Sequence, residues 1–133
     1  MILVDTHVLV WLAADDDRLG KEARRTIDRA FAQSDLAVSA ISFWELAMLT
    51  DKGRLDMPQP VTAMREELLG KGLEEIEADG RIAIAAGTLP LFHGDPADRF
   101  VVATASLSGA TLMTADRRIL DWKSPLRRQD ARL

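Results

Sequence analysis

The 133-residue sequence contains no cysteine. That excludes a disulfide framework, a cysteine nucleophile and a thiolate metal site. It has only two histidines, His7 and His93, so a histidine cluster is excluded as well. No apolar run approaches the ~20 residues of a membrane span, and no membrane association is expected. The stretch from Met1 to Asp5 lacks the basic region and small-residue cleavage site of a secretory signal, so a cytoplasmic location is expected. Repeats, low-complexity tracts and linkers are missing, and the length fits one domain over residues 1–133. A basic surplus is missing too. Seventeen Lys and Arg stand against 21 Asp and Glu, a net charge of −4, which argues against an ordinary nucleic-acid binder. The 47% hydrophobic content excludes intrinsic disorder and supplies one core.

The charge is unevenly distributed. From Arg117 to Leu133 there are six basic residues (Arg117, Arg118, Lys123, Arg127, Arg128 and Arg132) and two acidic ones (Asp121 and Asp130), leaving 11 basic and 19 acidic residues in the acidic body. Two readings of the tail stand side by side: a solvated terminus, or a basic strip beside a polyanion, with Arg127 and Arg128 as the candidate contacts.

Strands and helices alternate along the chain. Ile2 to Val4, Leu36 to Ser39, Leu73 to Ala78 and Thr111 to Met113 read as strands, with a weak edge strand in the tail. Helices are predicted over 6–14, 20–32, 41–52, the segment lined by Val61, Met64, Leu68 and Leu69, then 79–88 and 96–108, with a short one after Asp116. Gly53 and Gly109 stand just past helix ends. This order implies an α/β fold: a parallel sheet covered by helices on both faces. In such sheets the ligand site lies beyond the carboxyl ends of the strands, where strand order reverses.

Four acidic residues occupy otherwise uncharged surroundings. Asp5 follows the first strand. Glu45 lies among Phe43, Trp44, Leu46 and Met48. Asp98 starts a helix that is uncharged from Phe100 onward, and Asp116 follows the fourth strand. Each has a structural alternative. Asp5 fits a helix N-cap. Asp95-Pro96-Ala97-Asp98 fits a helix start with Asp95 as N-cap, Pro96 at the first position and Asp98 favoured by the helix dipole. Asp116 fits the first turn of a short helix. Glu45 is hardest to explain structurally, because an unpaired carboxylate among large apolar residues is costly. The fold sends three of the four to one end of the sheet.

Two carboxylates at 4 Å repel by about 4 kcal/mol at an effective dielectric near 20. Four in one pocket must bind protons or hold cations between them. Arg99, which directly follows Asp98, is the candidate counter-charge, and one guanidinium does not balance four acids. An oxygen-only donor set suits Mg²⁺ or Mn²⁺ rather than zinc, and such an ion suits hydrolysis at phosphate.

Four stretches carry a family resemblance. They are Ile2-Leu3-Val4-Asp5-Thr6-His7, Ser39-Ala40-Ile41-Ser42-Phe43-Trp44-Glu45-Leu46, His93-Gly94-Asp95-Pro96-Ala97-Asp98-Arg99 and Thr111-Leu112-Met113-Thr114-Ala115-Asp116. In this order and spacing the chain resembles PIN-domain ribonucleases, specifically VapC-type toxins of type II toxin–antitoxin pairs. The resemblance implies a three-layer α/β/α fold with a five-stranded parallel sheet and RNA cleavage dependent on Mg²⁺ or Mn²⁺. It places Asp5, Glu45, Asp98 and Asp116 in the acidic site, with Asp5 and Asp98 as direct metal ligands. Glu45 and Asp116 would bind through water, hold a second ion or orient the attacking water. Thr114 matches a hydroxyl position near the site, and Asp95 is read as a cap ahead of a ligand. Implied partners are RNA, a VapB-like antitoxin able to place an arginine in the pocket, and a second copy of the chain in a homodimer.

His7 and His93 are read as packing or loop residues, and Trp11, Phe43 and Trp44 as core, with a groove for a partner helix as the alternative. Two other functions are weighed. A phospho-accepting receiver domain would need an acceptor Asp on the middle strand and a Lys on the last; Asp79 and Lys123 are poor candidates. A catalytically inactive PIN-like interaction module would be expected to have lost one or more of the four acids.

Overall fold

Ile2–Val4 forms β1, and its neighbours fix the architecture. The computed structural model describes residues 1–92 and 94–133, so the reading of His93 lies outside the described residues. β1 pairs in parallel with β2 (Leu36–Ser39) on one side and β4 (Thr111–Thr114) on the other. β3 (Glu74–Ile76) lies outside β2, and β5 (Arg128–Asp130) outside β4. The order is β3-β2-β1-β4-β5, all parallel. The chain therefore builds outward from β1 in one direction and then returns to build on its other side. The reversal falls between β1 and β4, which is where such a sheet opens a crevice at its carboxyl edge.

The described helices are α1 (Thr6–Ala13), α2 (Lys21–Ala32), α3 (Ala40–Asp51), α4 (Val61–Gly70), α5 (Gly80–Gly87), α6 (Pro96–Ser108) and α7 (Arg117–Leu120). Alternation along the central strands divides the core into two faces. Val4, Leu36, Val38 and Met113 pack with Val8 and Leu9 of α1, Ile27 of α2 and Leu46 of α3. Leu3, Ala37 and Leu112 turn to the other side, against Val101, Val102 and Ala105 of α6 and Ile119 of α7. The predicted three layers follow from this period of two. Gly109 ends α6 in the left-handed conformation (φ 64°), which a Cβ would strain. No helix among the described residues is long and apolar enough to cross a membrane.

Two expectations fail here. The strand predicted from Leu73 to Ala78 shrinks to Glu74–Ile76. It is an edge strand with one neighbour, and the chain beyond it turns into α5, whose Ile82 amide donates to Asp79 Oδ1 at 2.9 Å. Trp44 is not core: it is 52% exposed, whereas Trp11 and Phe43 are buried. On α3, Phe43 and Leu46 share the inward face at a spacing of three, and Trp44 lies about 100° around the helix from Phe43.

Candidate active site

The residues at the crevice are placed by helix starts. Asp5 ends β1 and caps α1. Its Oδ1 accepts from the Thr6 amide at 2.7 Å, and its Oδ2 accepts from Thr114 Oγ1 at 2.6 Å. It is 4% exposed. Asp116 follows β4 and caps α7, accepting from the Arg118 amide at 2.9 Å, while its own amide donates to Thr114 Oγ1 at 3.0 Å. Asp95 caps α6 by accepting from the Asp98 amide at 2.9 Å, as read from the sequence, with Pro96 in the first turn. Thr6 Oγ1 donates to Ser42 Oγ at 2.9 Å and ties α1 to α3. Glu45 stands one turn beyond Ser42 on that face.

All four predicted acids line one open cleft of about 450 Å³. Asp95 lines it as well, and so does His7, an exposed residue in the first turn of α1. His7 is therefore a wall of the cleft and not the packing or loop residue read from the sequence. The signal was its place two residues after Asp5, within one helical turn of the site.

The electrostatics match a crowded acidic pocket. Burial raises the proton affinity of Asp5 above the ordinary carboxylate range, opposed by the hydrogen bonds from Thr114 and Thr6. Burial also raises Glu45, with the charges of Asp95 and Asp5 adding to it. Asp98 is pushed up to about 7, first by burial and then by the charges of Asp5, Asp95, Asp116 and Glu45. Asp116 moves the other way: burial pulls it upward, but the side-chain and backbone hydrogen bonds from Arg118 outweigh that and lower it.

The cationic partner is Arg118 rather than Arg99. Arg118 Nη2 lies 3.1 Å from Asp98 Oδ2 and 3.0 Å from Asp116 Oδ2. Arg99 does not line the cleft; it donates to the carbonyls of Ala86 and Phe92, each at 2.7 Å. One guanidinium thus spans two of the four acids, and neither Asp5 nor Glu45 has an ion-pair partner among the described residues. As the side chains stand, no three His, Asp or Glu among the described residues are arranged to enclose a metal ion. The chemistry nevertheless fits a hard divalent cation. The donors are carboxylate oxygens in one pocket with the His7 imidazole beside them, and the neighbouring negative charges add to burial in raising the proton affinity of Asp98.

The tail divides differently from the expectation. Arg117, Arg118 and Arg132 line the cleft. Arg127 instead donates to the Gly109 carbonyl, before the amino end of β4, and Arg128 is consumed by the carbonyls of Ile119, Trp122 and Ser124. Neither Arg127 nor Arg128 lines the cleft. Arg132 is steered there by its bond to the Ala115 carbonyl and its position 5.7 Å from the Trp11 ring centre. The receiver reading finds no support: Asp79 caps α5 beyond the edge strand, and no lysine lines the cleft among the described residues.

A family profile for the PIN domain matches residues 2–123, spanning β1, β4 and all four acids. The chain belongs to the PIN-domain family. Among curated PIN relatives, Ribonuclease VapC22 of Mycobacterium tuberculosis is 37% identical over 125 residues, which is 93% of each chain. Two solved complexes carry the same fold. A chain of DNA-bound VapBC from Salmonella typhimurium aligns with a TM-score of 0.72 at 18% identity, over 97% of this chain and 96% of that one. A chain of VapBC2 from Rickettsia felis, bound to a promoter DNA fragment, aligns with a TM-score of 0.71 at 18% identity, over 97% and 98%. The PIN fold is therefore borne out along the chain, and the parallel sheet with its switch point is the frame that these proteins share.

Proposed function

We propose that this PIN-domain protein is a metal-dependent endoribonuclease that hydrolyses RNA phosphodiester bonds, the toxin of a VapBC-type pair. The observation that carries this is the cleft itself. Asp5, Glu45, Asp98 and Asp116, far apart in the chain, line one pocket at the switch point of the sheet. The 37% identity to a relative named as a ribonuclease supports the chemistry.

Asp5 and Asp98 are the direct ligands in this reading, with Mg²⁺ or Mn²⁺ as the ion. When bound, the ion supplies a counter-charge to the phosphate and its leaving oxygen and makes a nearby water more acidic. Thr114 and the Thr6 amide fix both oxygens of Asp5, so its orientation is set before substrate arrives. Glu45 lines the cleft half-buried with a raised proton affinity, which suits its carboxylate to orient the attacking water and accept its proton. Asp116 shares Arg118 with Asp98 and completes the acidic set. The net charge of −4 opposes RNA binding, and the arginines at the cleft offset it locally.

The antitoxin partner is supported by solved neighbours that are VapBC complexes, and the homodimer is proposed from the family resemblance. A VapB-like antitoxin and a homodimer are the assemblies proposed, and the exposed Trp44 next to Glu45 offers a surface for one of them. The test is cleavage of an RNA pool with Mg²⁺ and with chelator, for wild type and Asp5→Asn. Cleavage by the wild type that requires the ion and is lost in the variant is the expected result. Cleavage that survives both chelator and substitution would overturn the metal reading. A wild type inert under every ion condition would instead point to an inactive PIN module.

A further inference from the structure

Arg118 spans the gap between two walls of the cleft. Its backbone amide donates to Asp116 Oδ1 at 2.9 Å and its Nε approaches the same oxygen at 3.3 Å. Its Nη2 reaches Asp116 Oδ2 at 3.0 Å and Asp98 Oδ2 at 3.1 Å. A single positive group thus stands between carboxylates contributed by α6 and by the start of α7. The side chain of Arg118 is 59% exposed, against 14% for Asp98. It can therefore turn into water without uncovering apolar core. Its neighbour Arg117 has the same charge and also lines the cleft, but it is paired with Asp121 at 3.0 Å and Asp130 at 3.5 Å.

We propose that Arg118 is a positioning residue that competes with the divalent ion: it holds Asp98 and Asp116 together in the free protein and must leave them for the ion to bind. The proposal rests on the metal-dependent reading above. An ion held by Asp5 and Asp98 would need the Asp98 carboxylate oxygen that the guanidinium now holds, and two cations in the same gap repel. The ion affinity of the site is therefore set against an ion pair within the chain. The free protein keeps its acids paired, and loading frees a mobile guanidinium at the mouth of the cleft.

The experiment is Mn²⁺ titration by calorimetry on the full chain, comparing wild type, Arg118→Gln, Arg118→Lys and Arg117→Gln. Far-UV circular dichroism and thermal melts confirm that each variant is folded. Arg118→Gln is expected to bind Mn²⁺ about fivefold or more tightly, the size of two exposed ion pairs. Arg118→Lys keeps the charge but loses the planar fork, and is expected to fall in between. Arg117→Gln removes the same charge without opening the bridge, and is expected to stay within about twofold of wild type. A purely structural role for Arg118 would weaken binding on substitution, not tighten it. Equal or weaker binding by Arg118→Gln overturns the proposal, as does equal tightening by Arg117→Gln. If wild type and every variant fail to bind Mn²⁺, the metal reading itself is overturned and the competition with it.

Discussion

Thr114 Oγ1 donates to Asp5 Oδ2 across 2.6 Å, joining the ends of two neighbouring strands at the centre of the sheet. The same hydroxyl accepts from the Asp116 amide, so one buried oxygen orders two acids of the cleft. Thr114→Val removes that hydroxyl while keeping the shape, and leaves a carboxylate oxygen of Asp5 without its donor. A loss of about 1–3 kcal/mol is expected in urea unfolding. Thr114→Ser, which keeps the hydroxyl, is expected to recover most of it. A valine variant as stable as wild type would mean that the bond does not hold Asp5.

The acidic cluster also sets a pH dependence. The unfolded chain loses the Asp98 proton near pH 3.8, whereas the folded chain keeps it to about 7. Between those values the folded state binds more protons, so stability falls as pH rises and the loss is complete above about 7. Asp5 and Glu45, also raised by burial, add in the same sense. Acids whose proton affinity is lowered, Glu67 and Glu75 among them, act oppositely but only below their ordinary value of 4.5. With chelator present, the melting temperature is therefore expected to be lower at pH 8 than at pH 5.5, and Asp98→Asn should flatten the difference. A melting temperature that rises over this range would contradict the cluster.

The tail arginines separate by role. Arg128→Ala strips donors from three carbonyls and is expected to cost about 2 kcal/mol or more in stability. Arg127→Glu, far from the cleft, is expected to leave RNA affinity and its salt dependence unchanged. Arg132→Gln, on the cleft wall, is expected to reduce the slope of log affinity against log salt by about one unit. Filter binding over a salt series, with an Asp5→Asn background to prevent cleavage, separates these outcomes.

Gly20 seats the end of the chain. A Cβ there would lie 2.2 Å from the Leu133 carbonyl carbon and 2.5 Å from the Arg132 oxygen, and since both are backbone atoms, no side-chain rotation relieves the clash. Gly20→Ala is therefore expected to destabilise by about 1–3 kcal/mol and to loosen Arg132 at the cleft. Faster amide exchange at Glu22, whose amide donates to the Leu133 carbonyl at 2.9 Å, would report that loosening.

Much of this was legible in the sequence because local and global signals agree. Pro96 and Gly109 bracket α6, and apolar runs mark the central strands. The isolated acids marked the cleft for a related reason. Capping and clustering are not alternatives, because Asp5, Asp95 and Asp116 do both. Helices that start where parallel strands end bring their caps to one edge. What stayed hidden depends on direction and distance. Trp44 looked like core until the turn of α3 carried it outward. Arg118 looked like tail charge until α7 folded it over Asp98, and Arg128 looked like surface charge until three carbonyls claimed it. Arg99 directly follows Asp98, yet its side chain is taken up by the carbonyls of Ala86 and Phe92, and adjacency in sequence does not show that.

The most direct test is a crystal of the full chain grown with Mn²⁺ and recorded at a wavelength where manganese scatters anomalously. The account predicts a peak bounded by Asp5 and Asp98, with Arg118 turned away from Asp98. No peak in the cleft at saturating Mn²⁺, or a peak elsewhere with Arg118 still bridging Asp98 and Asp116, would contradict it.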